Sequence, residues 1–211
     1  MTNEIIPVSD EQAKAIQEAL KTLQGLGGYM KQTFGTVPQD IVGLLGGDYL
    51  KVRRAENLFR MIGKAKKKLE DARIDKPDAP PSLAIPIMIA AADESRDELL
   101  DLWAALLAAA ADPKKSASFR VKFIEVVKQL DPLDPPVLGQ LAAGGSVDYE
   151  QLNKISEALR RTNDEVAVSL ANLETVGLAR RGSTRDDAPA YRFVSATPLG
   201  RELLRTVESK S

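Results

Sequence analysis

The sequence predicts a mainly α-helical chain: an N-terminal helical bundle, then a smaller unit of three short helices, a β-hairpin and a last helix. Apolar residues recur at three- and four-residue spacing along most of its length. Aromatics make up only 5% of 211 residues, so the interior must be built from Leu, Ile, Val and Ala, which suits helix packing. Strand-like segments, 178–181 and 191–195, occur only near the C-terminus.

Ser9-Asp10-Glu11 opens the first helix; Ala13, Ile16, Leu20 and Leu23 share one face, and Gly25, Gly27 and Gly28 end it. Pro38 opens a long second helix reaching Arg73, with Ile41, Leu45, Val52, Ala55, Phe59, Ile62 and Leu69 as its seam. Gly43, Gly46 and Gly47 sit early in it and point to close backbone approach or a kink. A proline-rich connector leads to a helix over 83–92 with Pro86 in its first turn. Asp93 and Glu94 precede a helix over 95–111, whose buried stripe is Leu99, Leu102, Trp103, Leu106 and Leu107. Asp112-Pro113 stops it. A further helix spans 116–130, with Phe119, Phe123, Val126, Val127 and Leu130 inward.

The run Asp131-Pro-Leu-Asp-Pro-Pro136 stiffens the chain, because each residue before a proline leaves the helical region. It is read as a hinge, with Asp134 capping the next helix. Three helices follow at 134–143, 149–159 and 163–176, then the two strands, and Thr197 caps a helix over 198–208. That order is the order of a winged helix-turn-helix domain with a small β-hairpin wing. The chain therefore divides into an N-terminal extension (1–37), a helical domain (38–133) and a winged-helix domain (134–211).

Four pieces occur in sequence: LLGGDYLKVRRAENLFRMIGKAKKKLEDARI, PPSLAIPIMIAAADE, LLDLWAALLAAAADP and FIEVVKQLDPLDPPVLGQL. Together, over residues 44–141, they resemble the abortive infection alpha family of bacterial proteins. The segment KVRRAEN departs from that pattern in lacking an aromatic residue. The resemblance implies an all-helical body, a winged-helix-like C-terminus and a setting in phage defence. It implies no catalytic residues.

Composition restricts the chemistry. Histidine and cysteine are both absent, which removes disulfides, thiolate nucleophiles, Ser–His pairs and zinc sites built on nitrogen and sulfur. The expectation is a protein that is not an enzyme, with no cofactor, no metal and no evident small-molecule substrate. The N-terminus lacks the features of a signal peptide, and the longest apolar runs are too short to span a bilayer, so a cytoplasmic location is expected. A formal net charge of −1 gives no overall attraction to polyanions.

Local patches remain. Residues 51–73 hold nine basic side chains (Lys51, Arg53, Arg54, Arg60, Lys64, Lys66, Lys67, Lys68 and Arg73) against three acidic ones, a net +6. This is either a phosphate-binding stripe for nucleic acid or lipid headgroups, or a solvated helix face. In the winged-helix unit, Val166, Leu170 and Leu173 are assigned to the core, leaving Asp164, Glu165, Ser169 and Asn172 as the recognition surface. Arg180, Arg181 and Arg185 are the wing's cations. The unit carries ten basic and eleven acidic residues, a poor footprint for DNA, so protein contact or self-association competes with nucleic-acid binding. The glycine clusters match no phosphate loop. The acidic set Asp93, Glu94, Asp97, Glu98 and Asp101 is read as helix-dipole compensation rather than a cation site.

Overall fold

The structure, a computed structural model, describes residues 48–144, 146–147, 149–183 and 192–208. The helix expected from Ser9, the start of the second helix at Pro38 with its glycines, and wing residues Arg185 to Asp187 lie outside the described residues. The chain is mainly helical with a small antiparallel hairpin near its C-terminus, as the sequence predicts. It divides into two compact units, residues 1–119 and 120–210.

In the first unit, α1 (Asp48–Asp71), α2 (Pro81–Ala92) and α3 (Asp97–Ala111) pack together, and a short α4 (Pro113–Ser116) follows. The buried side of α1 is Ala55, Leu58, Met61, Ile62, Ala65 and Leu69. Phe59, assigned to the seam from its spacing, is instead 53% exposed. Leu58, one position away, takes the inward place. Pro81 stands at the start of α2 and Pro86 lies inside it, not in its first turn. Pro86 cannot donate to the carbonyl of Ser82, and Ser82 is exposed, so solvent can satisfy that carbonyl.

α3 is buried from Leu102 through Ala111, wider than the predicted stripe. Its outer residues are mostly alanine, and a helix apolar on all sides belongs in a core. Trp103 is 1% exposed and heads the fully buried side chains by volume. The helix expected over 116–130 is broken. Asp112 caps α4 by accepting from Lys114 N at 2.9 Å, and helix resumes only at α5 (Lys122–Val127).

The second unit contains α5, α6 (Asp134–Gly144), β1 (Ser146–Val147), α7 (Tyr149–Leu159), α8 (Asn163–Thr175), β2 (Ala179–Ser183), β3 (Arg192–Ala196) and α9 (Pro198–Val207). Its strands form one antiparallel sheet in the order β1-β3-β2. β1, only two residues long, has no counterpart among the strands the sequence predicts; it pairs Val147 with Val194. Gly182 lies opposite Phe193, whose ring fills the space a Cβ would take, at 2.5 Å. Helix α8 opens on a capping box: Thr162 Oγ1 accepts from Glu165 N, and Glu165 Oε2 accepts from Thr162 N at 2.8 Å.

Thr197 caps α9 by accepting from Gly200 N at 3.1 Å, and its own N–H donates to Leu178 O at 2.9 Å. A Cβ on Gly200 would sit 2.3 Å from that same Leu178 oxygen. Gly200→Ala is therefore expected to destabilise the second unit by about 1–3 kcal/mol, because α9 must move away from the backbone at Leu178. Alanine's better helix propensity, about 1 kcal/mol, does not offset this. Urea unfolding followed by circular dichroism measures it.

Candidate functional site

The basic stripe and the acidic set, separate in the sequence, meet in the first unit. Asp93, Asp97 and Asp101 recur every four residues and face α1. Arg54 grips Asp93 with two bonds, Nε to Oδ1 at 2.6 Å and Nη2 to Oδ2 at 3.2 Å. Arg60 pairs with Asp97. Lys64 reaches Asp101 Oδ1 at 2.9 Å and Asp97 Oδ1 at 3.7 Å. Lys66 faces Glu70 on its own helix at 3.7 Å. Arg53, Lys67 and Lys68 make no ion pair among the described residues. The pairs are exposed to water, so each contributes about 0–1 kcal/mol. Their greater consequence is that carboxylates occupy much of the predicted phosphate stripe. The four-residue spacing of Asp93, Asp97 and Asp101, shared on α1 only by Arg60 and Lys64, is the available signal; using it requires knowing that the helices are neighbours.

In the second unit the proposed recognition surface separates into two groups. Asp164 and Glu165 are exposed, as expected. Ser169 is only 3% exposed, and Asn172 is half-buried. Both turn toward Asp134, itself 1% exposed. Ser169 Oγ donates to Asp134 Oδ1 at 2.6 Å, and Asn172 Nδ2 donates to Asp134 Oδ2 at 2.6 Å. Asn172 also donates to Gln129 O at 2.9 Å, and Asp131 N donates to Asp134 Oδ2 at 2.7 Å. The segment read as a hinge, 131–136, is therefore tied into this unit through Asp134, which does not cap its own helix. Ser169 and Asn172 hold a buried carboxyl group and are not an outward surface.

The exposed residues of α8 are instead Asp164, Glu165, Ala167, Val168, Ala171 and Thr175, with Val168 68% exposed. Of the wing cations, Arg181 pairs with Glu174 at 2.8 Å, and Arg180 is exposed without an ion pair among the described residues.

Two carboxyl groups are shifted. Partial burial pushes Glu94 up, but hydrogen bonds from the Arg96 guanidinium and backbone N–H, with the Arg96 charge, hold it below its usual 4.5. Glu165 is lowered by the backbone and hydroxyl hydrogen bonds from Thr162. A depressed folded-state pKa stabilises the fold above the unfolded value, and that contribution is lost as pH falls through the folded value. Stability is thus expected to be level through neutral pH and to fall below about pH 4.5. With no histidine in the chain, no imidazole adds a step above that range. Thermal melts between pH 3 and pH 8 would show this; a step near pH 6.5 would contradict it.

Among the described residues no group of His, Cys, Asp and Glu could hold a metal ion, and no helix is long and apolar enough to cross a membrane. The family model for abortive infection alpha matches residues 53–211. The chain belongs to the abortive infection alpha family. The match begins later than the resembling motifs and runs through the hairpin and the last helix, so it embraces both units. Membership associates the chain with abortive infection, a form of phage defence. Comparison with curated proteins and with solved structures gives no match.

Proposed function

We propose that this abortive infection alpha protein is a non-enzymatic, cytoplasmic component of phage defence that acts by binding a protein partner. The order of α6, β1, α7, α8, β2, β3 and α9, with strands arranged β1-β3-β2, supports reading the second unit as a winged helix. The observation that carries the proposal is the outward side of its α8. A helix that reads DNA brings Arg, Lys, Asn or Gln to base edges. Here Ala167, Val168 and Ala171 present an apolar strip beside the Asp164 carboxyl. That strip suits contact with another protein, and the Asp164 carboxylate beside it repels a phosphate backbone.

The test is a photo-crosslinking amino acid placed at Val168 in the full chain, activated in bacteria before and during phage infection. A discrete crosslink to protein, lost with Val168→Asp, is the expected result. Crosslinks to nucleic acid would overturn the reading. So would metal-dependent turnover of nucleic acid or nucleotides by the purified chain, abolished by a point substitution.

A further inference from the structure

We propose that α6 and α9 form a docking groove for an apolar, carboxylate-bearing segment of a protein partner. The two helices pack tightly where Gly200 meets Leu138; an added Cβ there would lie 3.1 Å from Leu138 Cδ1. Further along, the same helices line an open groove of about 410 Å³. Gly139, Ala142 and Ala143 line one side, at positions i, i+3 and i+4 and hence on one face of α6. A Cβ on Gly139 would meet nothing within 4 Å, so the space above it is unfilled. Half-buried Leu204 supplies the apolar wall from α9.

The charges give the occupant its chemistry. Arg201 is exposed, and its Nη1 donates to Ala196 O at 2.5 Å, which fixes the guanidinium at the groove. No carboxylate pairs with it among the described residues. Arg205, one turn on, is held by Glu202 at 2.5 Å. Arg201 therefore keeps fork-shaped donors for an incoming carboxylate. Glu208 at the α9 end gives the groove a polarity, setting the occupant's carboxylate at the Arg201 end. A small-molecule site would enclose its ligand with several convergent polar groups. This groove is open, with small apolar residues on one side and, in Arg201, a cation without a carboxylate partner among the described residues, as a leucine-like side chain with a neighbouring acidic residue requires.

The inference rests on the partner-binding reading only in taking the occupant to be a protein segment. It concerns a surface other than the outward side of α8. The test uses the full ¹⁵N-labelled chain and two probes, acetyl-Glu-Leu-Leu-Glu-amide and acetyl-Lys-Leu-Leu-Lys-amide. The acidic probe is expected to shift the amides of residues 139–143 and 201–208, and the basic probe to leave them in place. Gly139→Leu fills the open space, keeps a good helix former and should fold; it is expected to weaken the acidic probe by about tenfold or more, a loss of about 1.4 kcal/mol. Arg201→Glu should reverse the preference toward the basic probe.

Shifts elsewhere, equal response to both probes, or binding indifferent to both substitutions would overturn the groove. So would displacement of the acidic probe by a single-stranded oligonucleotide. In cells, phage protection that survives both substitutions would also overturn it, while leaving the Val168 crosslink as a separate test of partner binding. Protection lost in both folded variants supports it.

Discussion

Replacing Asp134 with alanine is expected to destabilise the second unit by about 3–5 kcal/mol, a large fraction of the stability of a domain this size. Both carboxyl oxygens are hydrogen-bonded: Oδ1 accepts from Ser169, and Oδ2 from Asn172 and Asp131 N. Truncation leaves the buried Ser169 hydroxyl without its acceptor and frees the 131–136 segment from α8. Asn172 loses less, since it keeps Gln129 O. Asp134→Asn separates charge from pairing. Its amide nitrogen can donate to the Ser169 hydroxyl, which accepts as readily as it donates, while its oxygen serves the other two donors. That variant is expected to lose only about 1 kcal/mol. Equal losses for alanine and asparagine, measured by urea unfolding, would show that the hydrogen-bond network does not set the cost.

Trp103→Ala should cost the first unit about 3–5 kcal/mol. The side chain is 1% exposed on the all-round buried α3, so its removal opens a cavity that flanking alanines cannot fill. Trp103→Phe refills much of that volume and should recover more than half of the loss. Thermal unfolding by circular dichroism compares the two. If alanine proves as mild as phenylalanine, α3 is not the packing centre of its unit.

Local chemistry was legible in the sequence and long-range pairing was not. Helix α7 has the predicted limits, and the Thr197 cap and both hairpin strands fall within one or two residues of expectation, because glycine, proline and cap residues mark those ends. The break between α4 and α5 carries no such mark: Ala117, Ser118 and Phe119 read as continuing helix. Phe59 and Leu58 both fit an apolar period, and only the neighbouring helices decide between them. Placing Val166, Leu170 and Leu173 in the core leaves Ser169 and Asn172 on the outward face by spacing alone. What turns them inward is Asp134, more than thirty residues away, which no local pattern reveals. The carboxylates of Asp93, Asp97 and Asp101 were likewise visible as a group but not as partners of α1.

The cation–carboxylate pairs of Arg54, Arg60 and Lys64 also bear on experiments with fragments. A synthetic peptide copying 48–71 would lack those three aspartates and display cations that the folded chain keeps neutralised. Such a peptide would cling to heparin, RNA or acidic vesicles, and its avidity would say little about the intact molecule.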